Sequence, residues 1–181
     1  LIFDEVKTGL CIAPGGAVEY FGVMPDMVTL AKAIGGGLPS GAIGASHEVM
    51  ECVRDGRVYQ VGTYNGNPLV MAAARASLEH VLTAEAYDHL DKLEHRLMTG
   101  CQAVLDKFNI AGDTVGIRSK GCVRFSESPI TDYESFMANQ NGPLTELAWL
   151  FNFNRGILMA PGREEEWTLS ITHSSEDCDT F

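Results

Sequence analysis

The first part of the chain alternates short apolar runs with glycine-rich turns. Residues 1–3 form a continuous apolar run, which is typical of a parallel strand buried on both faces. After the turn signal Pro25-Asp26, residues 27–30 and 41–44 are predicted to be two further strands, while residues 8–21 are expected to form a loop. This pattern indicates an open α/β sheet, in which ligands bind at the carboxyl ends of the strands.

Helical periodicity dominates further along. Helices are predicted over residues 47–53 and 68–82, the second with Pro68 in its first turn. From residue 83 a long amphipathic helix follows, with apolar residues at steps of three and four. Its expected buried stripe consists of Leu90, Leu93, Leu97, Cys101, Val104 and Phe108. We therefore place a domain boundary here, with residues 1–82 in a large α/β domain and 83–181 in a small α+β domain.

The small domain should contain a few short strands and one more helix. Its predicted elements are strands at residues 115–117, 122–125, 157–159 and 168–171, a helix over 144–154, and a capped helix start at 174–181.

Composition narrows the possible partners and compartment. The net charge of −11 disfavours nucleic acid and anionic membranes, so small molecules are the expected partners. The five cysteines are odd in number and lack C-x-x-C spacing, which argues against a disulfide framework and a zinc site and favours a reducing cytoplasm. The histidines also lack metal-ligand spacing, G-x-S-x-G is absent, and we expect no metal. The start at Leu1, in mid-strand and without methionine, predicts that an amino-terminal part is missing.

Two side chains suggest a specific chemistry. Lys32 follows a predicted strand and precedes three glycines, and Asp4 ends the first apolar run. A lysine amine can form a Schiff base with the aldehyde of pyridoxal phosphate, and a carboxylate can keep the pyridine nitrogen of that cofactor protonated. We therefore expect Lys32 and Asp4 to be catalytic, with Asp4 as a buried charge.

Each of these residues also has an ordinary structural interpretation. Lys32 could be a solvated surface lysine, because lysine is mostly exposed. The glycines could cradle a nucleotide phosphate, although neither G-x-x-x-x-G-K-[ST] nor G-x-G-x-x-G is present. Asp4 and Glu5 could be a helix cap or a pair of metal ligands, and Thr63 could be an ordinary turn residue.

Several motifs in the same order resemble the class III pyridoxal-phosphate aminotransferases, especially the glutamate-1-semialdehyde 2,1-aminomutases and their transaminase-like relatives. The motifs are LIFDEVKTG at residues 1–9, PD at 25–26, LAKAIGGGLPSGAIG at 30–44, GTYNGNP at 62–68 and AP at 160–161. The resemblance covers the carboxyl-terminal half of a family member. It implies the large-domain sheet of a fold-type I transferase followed by a small α+β domain.

The resemblance also implies roles for individual residues. Lys32 matches the lysine that binds pyridoxal phosphate covalently, Asp4 the partner of the ring nitrogen, and Val6 the residue packed on the ring. Thr63, next to Gly62, matches a ligand of the cofactor phosphate that is contributed across a homodimer interface. On the substrate side, Glu165 falls near a glutamate of the aminomutases, and Arg163 could pair with a substrate carboxylate.

The implied activity is transfer of an amino group between an amino acid or amine and a carbonyl acceptor. Intramolecular amino migration, as in the aminomutases, is the alternative. Cys11 stands near where aminomutases often have arginine, and the sequence after Pro161 departs from theirs. The resemblance therefore does not specify the substrate. An alternative of another class is a non-catalytic chain that is inactive without the missing half.

Overall fold

The computed structural model describes residues 1–160 and 166–181 and divides the chain into two compact units, Leu1–Tyr87 and Asp88–Phe181. The division falls inside one long helix. The predicted boundary between residues 82 and 83 lies just before that helix and stays a prediction.

A three-stranded sheet forms the centre of the first unit. Its strands are β1 (Ile2–Asp4), β2 (Met27–Ala31) and β3 (Gly41–Ala45), in the order β1-β2-β3. β1 runs parallel to β2, and β3 runs antiparallel to β2. The predicted positions of all three strands are confirmed.

Burial of the first strand differs from the prediction. Ile2 is 64% exposed, so β1 is not covered on both faces. Side chains alternate along a strand, and Phe3 pairs with Val28, so Phe3, Glu5 and Leu30 share one face. The following loop covers this face, since its Gly9 lies against the side chain of Leu30. That loop carries the buried Ile12. The opposite face stays open in this chain because no described element packs over Ile2.

Three α-helices complete the first unit before the long helix begins. They are α1 (Gly16–Phe21), α2 (His47–Arg54) and α3 (Pro68–Ala76), and α3 continues as a π-helical turn over Ser77–Val81. Ser46 caps α2 and Asn67 caps α3, each accepting hydrogen bonds from the first-turn backbone. The predictions of α2 and α3 are confirmed, but the prediction of a continuous loop over residues 8–21 is wrong because α1 lies within it.

The long helix α4 (Ala84–Phe108) provides the core of the second unit. Leu90, Leu93 and Leu97 are buried as predicted, but Val104 is 52% exposed and Phe108 is 63% exposed. Leu105 is buried in their place. The buried stripe continues at steps of four from Leu97 because an α-helix has 3.6 residues per turn.

An antiparallel sheet lies in the second unit. Its strands are β4 (Asp113–Ile117), β5 (Lys120–Arg124) and β6 (Glu166–Thr168), in that order. The predicted strand at 157–159 is absent, since the amide of Ile157 bonds to Asn152 at the end of a helix and the carbonyl of Met159 accepts from the indole of Trp149. The strand predicted at 168–171 ends at Thr168, so that prediction is only partly right.

The described part of the second unit also contains the helices α5 (Tyr133–Asn139), α6 (Gly142–Phe153) and α7 (Ser175–Thr180). The predictions of α6 and of the capped start of α7 are confirmed, whereas α5 was not predicted. Among the described residues, no helix has both the length and the apolar character needed to cross a membrane.

Candidate active site

Asp4 and Lys32 lie at the carboxyl ends of neighbouring parallel strands. Asp4 is the last residue of β1 and is paired with Thr29 of β2, three positions before Lys32. At about 3.3 Å per residue, the level of Asp4 and that of Lys32 differ by about 10 Å along the strand. An extended lysine side chain and one six-membered ring can bridge that gap. The register therefore brings both residues to the same edge of the sheet.

The backbone of Lys32 is strained. Its φ is 52°, in the left-handed region that non-glycine residues seldom adopt, and the residue begins a short 3-10 helix, Lys32–Gly35. Such strain costs about 1–3 kcal/mol and clusters at functional sites. Here it interrupts the alternation of β2 and turns the chain at the lysine.

The three glycines after Lys32 let that turn pack against α3. Gly36 has a φ of 58°, and a Cβ there would lie 2.7 Å from the carbonyl oxygen of Ala73. Gly37 has a φ of 89° with open space around it. The group that approaches the main chain closely at Gly36 is therefore the helix α3 itself.

Asp4 is exposed, which contradicts the prediction of a buried charge. It lies on the open face of the sheet, because it alternates with the buried Glu5. Two donors hold its carboxylate: the amide of Val6 at 3.0 Å and the hydroxyl of Thr29 at 3.2 Å, both to Oδ1. Thr29 was not predicted as a site residue, although its position three residues before the lysine on the adjacent strand could have indicated this contact.

Glu5 has the cap role that was considered for the acidic pair. Its side chain is 2% exposed and accepts hydrogen bonds from the amides of Ala17 at 2.7 Å and Val18 at 3.4 Å. It thereby caps α1, which has no side-chain cap of its own. Asp4 and Glu5 lie on opposite faces of the sheet, which argues against a metal-binding pair.

The remaining predicted site residues are only partly brought together. Val6 is half-buried and lies beside Asp4 through its amide, whereas Lys32 is exposed. Gly62 and Thr63 lie in an exposed loop, where the amide of Asn65 bonds to the carbonyl of Gly62. Within the described residues Thr63 makes no hydrogen bond to Asp4 or Lys32.

The two substrate-side candidates cannot be placed. Arg163 and Glu165 lie outside the described residues, as does Pro161 of the Ala-Pro motif. Their predicted roles stay predictions.

Comparison with protein families gives a clear match. The family described as aminotransferase class-III matches residues 1–135, most of the chain. The chain belongs to this family. This match confirms the family and the fold type that the sequence motifs predicted.

Curated class III relatives share about two fifths of the residues of this chain. A glutamate-1-semialdehyde 2,1-aminomutase from Syntrophobacter fumaroxidans is 40% identical over 180 residues, covering 99% of this chain and 41% of that protein. One from Alkaliphilus oremlandii is 41% identical over 182 residues, covering 98% of this chain and 41% of that protein. The chain therefore spans about two fifths of the length of these relatives.

Solved structures of the family agree with the fold. An omega-transaminase from Sphaerobacter thermophilus superposes with a TM-score of 0.85 at 28% identity, covering 99% of this chain and 41% of that one. A β-phenylalanine aminotransferase from Variovorax paradoxus gives a TM-score of 0.82 at 30% identity, over 99% of this chain and 41% of that one. A glutamate-1-semialdehyde aminomutase variant from Pseudomonas aeruginosa in complex with PMP gives a TM-score of 0.84 at 27% identity, covering 99% of this chain and 42% of that one.

Proposed function

We propose that this class III chain carries the lysine and the carboxylate of a pyridoxal-phosphate-dependent enzyme that transfers an amino group between an amino acid or amine and a carbonyl acceptor. The observation that carries the proposal is the pairing of a strained Lys32 at the end of β2 with Asp4 at the end of the adjacent parallel strand. Family membership supports it, since the matched segment contains both residues.

The residues present fit this cofactor. When bound, pyridoxal phosphate supplies a ring that withdraws electrons from the substrate carbon next to the amino group. Lys32 Nζ would bind the aldehyde carbon of the cofactor covalently. This attachment requires the lysine amine to reach the open face of the sheet. Asp4 would accept a hydrogen bond from the protonated ring nitrogen, and Val6 would pack on the face of the ring.

Lys32 would have a second task when its amine is no longer attached to the cofactor. Its free amine would take a proton from the substrate carbon and return it at another atom, as a general base and then a general acid. The strained turn at Lys32 keeps the amine at the end of β2 during both steps. Asp4 would maintain the positive charge on the ring nitrogen, so its removal should slow proton removal more than it weakens substrate binding.

Covalent attachment tests the proposal. The full-length protein is incubated with pyridoxal phosphate, reduced with borohydride and digested, and the modified peptide is identified by mass spectrometry. We expect the reduced cofactor on Lys32 in the wild type, no adduct in Lys32→Ala, and an unchanged adduct in Lys7→Ala, a control lysine in the same exposed region. An unmodified wild type, or an adduct that persists in Lys32→Ala, overturns the proposal.

Intramolecular amino migration is the second candidate, because the curated relatives that match at 36–41% identity carry aminomutase names. The two activities differ in their need for a partner substrate. An aminomutase converts glutamate-1-semialdehyde without an external amino acceptor, whereas a transaminase needs a donor and an acceptor together. Turnover of the semialdehyde alone by the holoenzyme would favour migration.

We further propose a cytoplasmic homodimer whose partners are small molecules. The odd number of cysteines and the lack of C-x-x-C spacing support a reducing compartment. Thr63 lies in an exposed loop, so in the proposed dimer it would supply a ligand for the cofactor phosphate to the partner subunit. The rival proposal is a non-catalytic chain. It rests on the finding that the chain covers only 41% of the length of a relative. Cofactor binding by the full-length protein but not by this chain alone would favour that rival.

A further inference from the structure

The hydrogen bonds of Asp4 distinguish its two carboxylate oxygens. The amide of Val6 and the hydroxyl of Thr29 both donate to Oδ1, at 3.0 Å and 3.2 Å. Within the described residues no donor contacts Oδ2. One oxygen is therefore held by the protein, and the other is left to accept a hydrogen bond from a ligand.

Burial does not orient Asp4, since its side chain is exposed at the open face of the sheet. An exposed aspartate can rotate about its side-chain bonds unless hydrogen bonds fix it. The amide of Val6 gives one fixed point on Oδ1. A second donor to the same oxygen, from a different strand, limits rotation much further. That second donor is the Thr29 hydroxyl.

Thr29 is itself well fixed. It is half-buried in β2, where its Cα pairs with Asp4 on one side and with Ile43 on the other. Its carbonyl accepts the amide of Glu5 at 2.9 Å, which ties the residue after Asp4 to the same position. A β-branched side chain in a strand has few rotamers, so its hydroxyl is held toward Asp4.

We infer that Thr29 is a positioning residue: its hydroxyl holds Asp4 Oδ1 so that Oδ2 is presented to the protonated nitrogen of the cofactor ring. This inference rests on the proposed function. Thr29 acts through Asp4 and does not contact the reacting atoms.

Three variants of the full-length protein test this role. Thr29→Val keeps the β-branched shape and removes the hydroxyl, Thr29→Ser keeps the hydroxyl, and Thr114→Val is the matched control. Thr114 is also a strand residue whose hydroxyl makes a hydrogen bond, to the carbonyl of Met98 at 3.2 Å in the second unit. The affinity of each apoprotein for pyridoxal phosphate is measured by titration, and its thermal stability is measured without cofactor.

We expect Thr29→Val to weaken cofactor affinity about tenfold, as loss of one hydrogen bond to a charged group would. Thr29→Ser should stay within about twofold of wild type, and Thr114→Val should lower stability without changing the affinity. For the holoenzyme, Thr29→Val should reduce kcat more than it changes the KM for substrate.

A double-mutant cycle with Asp4→Asn separates positioning from a general effect on the strand. If Thr29 acts through the Asp4 carboxylate, Thr29→Val should have almost no further effect on affinity in the Asp4→Asn background. An undiminished tenfold loss there overturns the inference, as does a Thr29→Val variant that binds like the wild type, or a Thr29→Ser variant that binds no better than Thr29→Val. A wild type that binds no cofactor at all overturns the proposed function instead.

Discussion

Glu5 and Gly16 show how single residues organise the segment that follows β1. The Glu5 carboxylate enters the first turn of α1, where Gly16 adopts a φ of 65°. A Cβ on Gly16 would overlap both oxygens of that carboxylate. The neighbouring acids Asp4 and Glu5 therefore have separate tasks, one facing the open side of the sheet and the other capping a helix.

Gly16→Ala should destabilise the protein much more than Gly22→Ala. Both glycines have a φ of 65°, so both substitutions introduce left-handed strain of about 1–2 kcal/mol. A Cβ at Gly22 meets nothing within 4 Å, whereas one at Gly16 must displace Glu5. We expect Gly16→Ala to lower the free energy of unfolding, measured by urea titration, by about 3 kcal/mol or more in total. Equal losses in the two variants would contradict the assigned role of Glu5.

Alkaline pH should weaken the fold through Cys122. Burial raises the pKa of this thiol to about 11. Because its pKa in the folded state exceeds that in the unfolded state, the thiol contributes stability below about pH 8.5 that is lost as pH rises toward 11. Between about pH 8.5 and about pH 11 the free energy of unfolding should fall by about 3 kcal/mol for this reason.

The comparison of wild type with Cys122→Ala isolates this contribution. Unfolding free energies are measured by urea titration at intervals from pH 8 to 11. The difference between the two proteins should shrink with rising pH, while other titrating groups affect both alike. A constant difference across the range would show that the thiol does not titrate as proposed.

At the scale of secondary structure, the turn after Lys32 depends on its contact with α3. The 3-10 helix Lys32–Gly35 and Gly36 lie against the carbonyl of Ala73, and the small residues of α3 leave room for that approach. The helix therefore supports the segment that carries the lysine.

Gly36→Ala should disturb this contact, and Gly37→Ala provides the matched control. Both glycines have positive φ, but only at Gly36 would a Cβ meet the backbone of α3, at 2.7 Å. We expect Gly37→Ala to lower the free energy of unfolding by about 1–2 kcal/mol, and Gly36→Ala to lower it by at least about 2 kcal/mol more. Gly36→Ala should also slow covalent attachment of pyridoxal phosphate, which can be followed by absorbance. An attachment rate equal to that of Gly37→Ala would argue against support of Lys32 by α3.

Helix starts differed in how readily they could be predicted. Asn67 and Ser174 cap their helices through local side-chain contacts, and those helices were predicted. The Asp132 capping box of α5 was also present in the sequence, as aspartate and serine three residues apart, and was overlooked. In contrast, α1 takes its cap from Glu5, more than ten residues away, which no local pattern contains.

For the whole molecule, the main question is whether one active site is built by two subunits. Lys32 and Asp4 belong to one sheet, whereas Thr63 lies in an exposed loop without a described hydrogen bond to either. In the proposed homodimer, Thr63 of one subunit would serve the Lys32 of the other.

Mixed dimers test this arrangement. Lys32→Ala and Thr63→Glu should each be inactive, the second because a carboxylate repels the cofactor phosphate. After the two full-length proteins are unfolded together and refolded, a shared site predicts recovery of about a quarter of wild-type activity, because half of the dimers contain one intact site. If both residues served the same subunit, no mixed dimer would contain an intact site, and no activity would return.

Local patterns in the amino-acid sequence were enough to predict the strands of the first unit, most helices, the family and the candidate pair of Lys32 and Asp4. These follow from local periodicity, local caps and motifs that lie close together along the chain. Three features became evident only in the folded chain: Asp4 is exposed, Glu5 caps α1, and Thr29 donates a hydrogen bond to Asp4. Each of these depends on contacts between residues distant in sequence, since strand register and helix packing arise only when the chain folds.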